Sequence, residues 1–553
     1  MLPFKKLMHL RCNFLSLSAR MSFKVLHCEM PHEHLEGMEE KSKKAIVILK
    51  MLSDVAASGG GSKAIHRHTV LNKKLLVRDR LKLLFDPDSM FLEVGLLAGM
   101  FMDYGNIAAA GSVAGIGKIH GRYCIVGAND ATVKGGTFFP ISIEKQIRVQ
   151  ELSHLNHLPS IYLVDSGGAY LPLQADIFPD KNHGGRTFYN EAVLSSIGIP
   201  QIALVCGSST AGGAYCPTMA EEAIIVKKSG VIFLGGPPLV KAATGEIVTE
   251  QDLGGADLHC SISGCTDYYA ENEEEAFNLC RESILTLNVC EPSPKTSYKE
   301  PLYPADELTV ISGKHKLSKE DMYMILARVL DGSMFKEFKG KFGANLITGF
   351  GYLRSMLVGI IANCGSLTFQ DAQKGAHFIQ LCDKRNIPLI FLQNSGNPDV
   401  RQDESLLSTD SLVRDRAKMI AAHSCAKVPK ITICVGGCLA DDNFTMCGWS
   451  FKPNFLFSWP LAHISCKEEV SNDIRTETQV LDNLIKTKST ESVEELFENK
   501  SSAFYHASRM TCDGIIDPKN TRQVLSFCTE VSKIGCLNSL RCVDKHASSV
   551  LRM

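Results

Sequence analysis

The stretch Pro159–Gly167, which reads PSIYLVDSG, decides the fold because the second half of the chain carries a near copy of it. The copy, Pro388–Gly396, reads PLIFLQNSG. Each is an apolar run that ends in a polar residue, Ser and Gly, which is typical of a buried strand opening onto the ligand edge of an α/β sheet. Ile202–Gly213 and Ile431–Asp442 resemble each other in the same way. We therefore predict an α/β chain built from two tandem copies of one domain.

Strand and helix patterns alternate around these copies, which indicates stacked β-α units. Further strands are predicted at Ile119–Gly127, Val231–Gly235, Leu357–Ala362, Ile387–Leu392 and Lys430–Val435. A stretch rich in Pro, Lys, Ser and Glu, Asn288–Pro304, predicts a linker between the two halves. We place the first domain at residues 31–300 and the second at residues 301–553.

Composition excludes several classes of protein. Of the 553 residues, 45% are apolar and 22% are charged, which is ordinary for a globular chain and excludes a disordered or fibrous one. The formal net charge of -1 gives no electrostatic reason to expect nucleic acid or an anionic membrane as a partner. No apolar run is long enough to predict a membrane span. The 20 scattered cysteines predict reduced thiols, and no metal site is predicted.

The N-terminus has the composition of an organelle-targeting sequence. Lys5, Lys6, Arg11, Arg20 and Lys24 precede the first acidic residue of the chain, which is Glu29. A basic, Ser-containing and acid-free segment is typical of a mitochondrial transit peptide, and a disordered basic tail is the alternative. We predict a transit peptide within residues 1–30 and a location in the mitochondrial matrix.

Three glycine-rich turns follow predicted strands of the first half, at Asn129–Gly136, Asp165–Tyr170 and Gly207–Ala214. Glycine lets a ligand approach bare backbone N–H groups, and two such groups aimed at one point form an oxyanion hole. Taken singly, each turn also fits simple tight packing. None has the spacing of a dinucleotide-binding fingerprint or a phosphate-binding loop, which disfavours dehydrogenases and nucleotidases.

Three longer motifs carry a resemblance to a known family. They are DSGGAYLPLQADIFPD at Asp165–Asp180, GGPPLVKAATGE at Gly235–Glu246 and DLGGADLH at Asp252–His259. Together they resemble the carboxyltransferase (beta) subunits of biotin-dependent acyl-CoA carboxylases, in particular those of the methylcrotonoyl-CoA type. The resemblance runs from about residue 35 to about residue 525.

This resemblance implies both a fold and an activity. The fold would be two tandem crotonase-like (ClpP/crotonase) β-β-α superhelix domains. The activity would be transfer of a carboxyl group from carboxybiotin to 3-methylcrotonoyl-CoA in leucine catabolism, so the chain would be a ligase component. No biotin-attachment sequence is present, so biotin would come on a partner alpha subunit, with acyl-CoA as the other ligand. The family also implies a homo-oligomer, a dimer within a hexamer.

The resemblance also implies site residues in the first half. Gly212 and Gly213 would form the acyl-side oxyanion hole. Residues that would shape the wall of the acyl-CoA site and its CoA edge are Gly167, Gly168, Ala169, Lys241, Thr244 and Gly245.

The second half departs from the family pattern on the biotin side. Ala440, Asp441 and Asp442 stand where the family has small residues, and Glu468 and Glu469 stand where it has glycines. A carboxylate about 4 Å from a developing oxyanion repels it by ~4 kcal/mol at an effective dielectric of ~20.

Two interpretations follow from this departure. Either the two aspartates turn into solvent and activity survives, or the chain is a catalytically impaired paralogue that acts as an acyl-CoA-binding or assembly subunit.

A hydratase or hydrolase that uses only the first domain is a further alternative. It would need acid–base carboxylates near Gly212, and the sequence gives no clear pair there. Glu221 and Glu222 fit a solvated helix start better.

Overall fold

The computed structural model of the chain describes residues 23–30, 36–289, 297–314, 316–395, 406–465 and 495–542. Its strands are β1 (Lys24–Val25), β2 (Leu92–Val94), β3 (Ser112–Ile119), β4 (Arg122–Asn129), β5 (Ser160–Ser166), β6 (Gln201–Thr210), β7 (Glu222–Val226), β8 (Val231–Phe233), β9 (Tyr268–Ala270), β10 (Met334–Glu337), β11 (Leu346–Leu353), β12 (Met356–Asn363), β13 (Leu389–Gln393), β14 (Lys430–Cys434), β15 (Gly437–Leu439), β16 (Phe455–Ser458), β17 (His463–Ser465) and β18 (Gly514–Ile515).

The helices of the first half are α1 (Glu36–Ala57), α2 (Ser62–His66), α3 (Val77–Leu84), α4 (Pro140–Asn156), α5 (Gln174–Ile177), α6 (Gly184–Ser196), α7 (Tyr215–Met219), α8 (Pro237–Thr244), α9 (Glu250–Gly254), α10 (Ala256–Leu258) and α11 (Glu273–Thr286). Those of the second half are α12 (Glu307–Ser312), α13 (Lys319–Val329), α14 (Phe369–Lys384), α15 (Leu406–Cys425), α16 (Ala440–Thr445), α17 (Ala503–Ser508) and α18 (Thr521–Cys542). Within the described residues, no helix is both long enough and apolar enough to cross a bilayer.

Two large sheets repeat one strand pattern. The first has the order β2-β3-β4-β5-β6-β7-β9, with β8 paired to β6 beside it. The second has the order β1-β10-β11-β12-β13-β14-β16-β18. In both, an antiparallel hairpin (β3–β4 or β11–β12) leads into parallel strands. The predicted duplication of one α/β domain is therefore confirmed.

Most predicted strands coincide with observed ones, but the prediction at Ile119–Gly127 was wrong in its extent. That stretch begins at the last residue of β3, crosses a tight turn and continues into β4. His120 (φ +49°) and Gly121 (φ +74°) form the turn in the left-handed region. The apolar residues continue on both sides of it, so their pattern alone did not reveal the reversal of the chain.

Part of the predicted targeting segment belongs to the second sheet. Residues 1–22 lie outside the described residues, whereas β1 pairs antiparallel with β10. The Leu26 amide donates to the Ser333 carbonyl at 2.9 Å, and the Cys28 amide donates to the Tyr303 hydroxyl at 2.9 Å. Residues 24–28 therefore complete an edge of the second domain.

Helix α4 joins the two halves. Its Arg148 forms a buried ion pair with Asp513, with Nε–Oδ1 and Nη2–Oδ2 distances of 2.8 and 2.9 Å. The same guanidinium donates to the Pro453 and Asn454 carbonyls and lies 4.5 Å from the ring of Trp449. One buried cluster contains Ile125 of the first sheet and Phe457 of the second. The halves therefore share a core rather than touching only at their surfaces.

We expect Arg148→Ala to lower the free energy of unfolding by about 3–5 kcal/mol, because the Asp513 carboxylate would stay buried without its counter-charge. Denaturant titration followed by circular dichroism measures the change. The matched control is Lys43→Ala, which removes an exposed pair with Glu39 and should cost at most ~0.5 kcal/mol. Equal losses in the two variants would contradict a locking role for Arg148.

Candidate active site

A cavity of about 340 Å³ opens at the carboxyl ends of β5 and β6 in the first half. Five of the eight acyl-side residues predicted from the sequence line it, namely Gly167, Gly168, Ala169, Gly212 and Gly213. The carboxyl ends of neighbouring parallel strands meet at one sheet edge, which is where α/β folds bind ligands. The cavity therefore lies at the sheet edge that the repeated strand–Ser–Gly motif predicts as the ligand edge.

The other three predicted residues lie beyond the lining. Lys241 and Thr244 are exposed, and Gly245 ends α8 with a left-handed backbone (φ +81°). Helix α8 reaches the cavity instead through Leu239, and the turn before it contributes Gly235 and Gly236. The role of Lys241, Thr244 and Gly245 at a CoA edge stays a prediction.

Serine hydroxyls fix the two turns that line the cavity. Ser166 Oγ donates to the Gly136 carbonyl at 2.8 Å and accepts from the Gly168 amide at 3.1 Å. Ser209 Oγ donates to the Gly213 carbonyl at 2.9 Å. Gly168 has φ +90°, a conformation that other residues rarely adopt. The Ser-Gly pattern seen in the sequence thus shapes the turns through side-chain-to-backbone hydrogen bonds.

Gly212 and Gly213 are not glycines for reasons of folding. Neither has a positive φ, and a Cβ at Gly212 would meet the Phe188 ring at 3.6 Å, an ordinary contact. A Cβ at Gly213 would find only Ser166 atoms, at 4.0 Å. At Gly207, by contrast, a Cβ would lie 2.0 Å from Asp165 Oδ1. The space beside Gly212 and Gly213 is therefore open, and folding requires glycine at neither position.

A buried ionic network holds the strand end beneath these turns. Asp165 accepts from Lys74 Nζ at 3.0 Å and from Arg80 Nη1 at 3.2 Å, and Arg80 Nε also pairs with Glu273 at 2.6 Å. Burial pushes the pKa of Asp165 upward, but the charges of Arg80 and Lys74 outweigh it and leave that pKa below its ordinary value. Asp165 is therefore a carboxylate that anchors the turn.

A buried carboxyl group beside the cavity, next to its lining residue Cys216, was missed by sequence reasoning. Glu191 on α6 is 1% exposed, and neither of its carboxylate oxygens has a hydrogen-bond partner of normal geometry among the described residues. Burial raises its pKa to about 8, and the neighbouring thiol of Cys216, which lines the cavity, lowers it only in part. Thr187, Glu191 and Leu194 are buried on one face of α6, and this 3–4-residue spacing was the available signal.

The expectation of a solvated helix start at Glu221 and Glu222 was wrong. Glu222 begins strand β7, and its carboxylate accepts from Ser283 Oγ at 2.7 Å. Glu221 accepts from Ser195 Oγ at 3.0 Å. The sheet pairing of β7 with β6, which the local pattern does not contain, decides their conformation.

In the second half, the two aspartates of the divergent loop behave differently. Asp442 is 3% exposed, and its Oδ1 accepts from Arg416 Nη2 at 2.9 Å and from the Leu367 amide at 3.3 Å. Burial raises the pKa of Asp442 to about 6, although the charge of Arg416 opposes the shift. Asp441 is exposed and lies 3.6 Å from Arg416 Nη1. A solvent-facing arrangement therefore describes Asp441 but not Asp442, whose carboxylate faces a guanidinium.

The other residues of the predicted biotin side are Ala440, Glu468 and Glu469. Ala440 is the first residue of α16. Glu468 and Glu469 lie outside the described residues. The degenerate character of this side therefore stays a prediction.

Comparison with known proteins identifies the class. The model of the carboxyl transferase domain matches residues 71–537, and the chain belongs to this family. The beta subunit of geranyl-CoA carboxylase from P. aeruginosa matches the structure with a TM-score of 0.82 at 33% identity, covering 96% of this chain and 100% of that one. The predicted pair of crotonase-like domains is thereby confirmed.

Several similar proteins within this family are named as subunits of methylcrotonoyl-CoA carboxylases. The Dictyostelium discoideum methylcrotonoyl-CoA carboxylase beta chain is 48% identical over 494 residues, covering 87% of this chain and 82% of its own. The probable Drosophila melanogaster counterpart is 45% identical over 535 residues, covering 91% and 92%. A Mycobacterium tuberculosis 3-methylcrotonyl-coenzyme A carboxylase beta1 subunit is 44% identical over 502 residues, covering 88% and 94%. The family resemblance predicted from the motifs is confirmed.

We expect Gly213→Ala to weaken acyl-CoA binding at least ~10-fold, because the new methyl group fills ligand space. The same change should stabilise the fold by about 0.4–1 kcal/mol, since alanine restricts the unfolded chain. Isothermal titration calorimetry and thermal unfolding measure the two effects. Gly207→Ala is the contrasting variant, and its overlap with Asp165 should destabilise the fold. Unchanged binding by Gly213→Ala would contradict the site.

We expect Glu191→Gln to change how stability depends on pH. The folded-state pKa of Glu191 is about 8, above the ordinary value of 4.5. Between these values the unfolded chain has released the proton and the folded chain has not, so the wild type loses stability as pH rises. The variant should lack this loss, which is at most ~5 kcal/mol. Urea titrations at about pH 5 and about pH 8.5 measure it, with exposed Glu246→Gln as control.

Proposed function

We propose that this chain is the carboxyltransferase (beta) subunit of a biotin-dependent acyl-CoA carboxylase. Its reaction is the transfer of a carboxyl group from carboxybiotin to 3-methylcrotonoyl-CoA, a step of leucine catabolism. The observation that carries the proposal is the cavity at Gly212 and Gly213, where glycines that folding does not require border open space. The names of the Drosophila, Dictyostelium and Mycobacterium relatives support the choice of acyl group.

The backbone of the first half receives the acyl thioester. The amides of Gly212 and Gly213 donate to the thioester oxygen and stabilise the negative charge that develops on it when the acyl group loses a proton. Removing one donor from such a pair typically costs 10²–10³ in rate, or ~3 kcal/mol. Gly167, Gly168 and Ala169 form the neighbouring wall.

Biotin, attached to the partner alpha subunit, supplies the carboxyl group. The second half of this chain offers the loop at which biotin docks. In the internal repeat, Asp441 and Asp442 occupy the positions of Gly212 and Gly213. The pairing of Asp442 with Arg416 removes one of the two negative charges that would oppose an anion there. Exposed Asp441 remains.

A second candidate function is an acyl-CoA-binding or assembly subunit with impaired transfer. The observation that favours it is the presence of carboxylates at 441 and 442, where the first half has open glycine turns. Both candidates share the acyl-CoA cavity and differ only in what the second half can do.

We further propose that the chain works in the mitochondrial matrix, as a homo-oligomer (a dimer within a hexamer) with a biotin-bearing alpha subunit. Relatives from Drosophila, Dictyostelium and Arabidopsis are named mitochondrial. Because residues 24–28 pair and pack with the second domain, we place the targeting sequence before Phe23.

The complex with a biotin-bearing alpha subunit, supplied with ATP, labelled bicarbonate and 3-methylcrotonoyl-CoA, tests these proposals. We expect label in the acyl-CoA product, and loss of at least ~10-fold in the Gly213→Ala complex, because the added methyl group fills ligand space. Binding of 3-methylcrotonoyl-CoA without any transfer would replace the first candidate by the second. A gain of transfer in Asp441→Ala would then locate the impairment in the second half.

A further inference from the structure

Cys216 and its buried neighbour Glu191 have no part in the proposed carboxyl transfer. Cys216, the second residue of α7, packs against Tyr162, Val164 and Ala203 of β5 and β6. It lines the same cavity as Gly212 and Gly213. A cysteine therefore borders the space that receives the acyl thioester.

Glu191 is the proton acceptor left for this thiol. Of the other titratable groups in the cavity lining, Lys145 donates to three backbone carbonyls, and the Tyr162 hydroxyl donates to Gln201 Oε1 at 2.9 Å. The Gln201 amide group donates to the backbone carbonyl of Glu191 at 2.7 Å rather than to its carboxylate. The two carboxylate oxygens of Glu191 are buried and have no hydrogen-bond partner of normal geometry among the described residues. The neighbouring Cys216 thiol carries the proton that they can accept.

We propose that Cys216 is an acyl-acceptor site, at which the thiol exchanges with bound acyl-CoA thioesters while Glu191 takes up its proton. This inference rests on the proposed acyl-CoA site. It adds a covalent acyl-enzyme reaction that the carboxyl transfer does not require.

The exchange balances without an outside reagent. The Glu191 carboxylate accepts the thiol proton as the Cys216 sulfur bonds to the thioester carbon, and the carbonyl electron pair moves onto oxygen. The amides of Gly212 and Gly213 hold that oxyanion. The electron pair then returns, the bond to the CoA sulfur breaks, and the CoA thiolate takes the proton from Glu191. The products are S-acyl-Cys216 and free CoA, and nothing is oxidised or reduced.

Incubation of the full chain with butyryl-CoA tests the site. Butyryl-CoA is saturated, so a thiol cannot add across a double bond, and only acyl exchange can label the protein. Intact mass should increase by one butyryl group, peptide mapping should place it on Cys216, and hydroxylamine should remove it. Cys216→Ser should abolish the thioester label. Cys260→Ser, which changes a half-buried thiol outside the cavity lining, should retain it.

The role of Glu191 is tested by the rate of labelling and its dependence on pH. General-base assistance is typically worth 10²–10⁴-fold, so Glu191→Gln should slow labelling at least ~10-fold at neutral pH. The labelling rate of the wild type should rise with pH and level off as Glu191 ionises, whereas that of the variant should keep rising as the thiol itself ionises. Identical rates and pH profiles would overturn the assignment of Glu191.

Calorimetric binding of butyryl-CoA separates this inference from the proposed function. Binding without a label on Cys216 overturns the inference alone and leaves the acyl-CoA site intact. A label spread over other cysteines also overturns it. If the protein neither binds butyryl-CoA nor becomes labelled, the inference and the proposed acyl-CoA cavity fail together.

Discussion

The buried pair between Arg148 and Asp513 is the interaction on which the rest of the structure depends, because helix α4 serves both halves at once. One side of α4 carries Arg148 into the second domain, where Asp513 and two backbone carbonyls satisfy its guanidinium. Another side carries Lys145 and Val149 into the wall of the acyl cavity. Burying a charge costs several kcal/mol unless its partners are well placed. The full set of partners around Arg148 therefore fixes where α4, and with it the cavity wall, can lie.

Lys145, within the first half, is also a buried cation whose polar partners fix the position of α4. Its Nζ donates to the carbonyls of Gly95, Ala109 and Ser112 at 3.0, 2.9 and 2.6 Å, which ties the loop before β3 to α4. Burial lowers the pKa of Lys145 to about 7, because the ammonium group loses the water that would stabilise its charge. The cavity is thus held by polar groups that are buried but satisfied. Glu191 differs from them because its carboxylate has no hydrogen-bond partner of normal geometry in the described part of the chain.

The two halves have kept one fold while their ligand edges have diverged. In the first half, glycines at 212 and 213 leave backbone amides beside open space. In the second half, the repeat places Asp442 at the same point, and Arg416 on α15 compensates its charge. A paired carboxylate can stay buried where an unpaired one would destabilise the loop. This compensation explains how the second domain folds with acidic residues at the positions that glycines occupy in the first half.

The sequence by itself determined the duplicated α/β fold and the edge of the first sheet at which the cavity opens, because strand periodicity and strand–Ser–Gly turns are local patterns that repeat at 159–167 and 388–396. It did not reveal the turn at His120, the strand at Glu222 or the inward face of Glu191 on α6. Nor did it reveal that Arg416 neutralises Asp442, since these residues lie on different helices. Only the tertiary structure decided these features, because burial, ionic pairing and pKa depend on which distant residues the folded chain brings into contact.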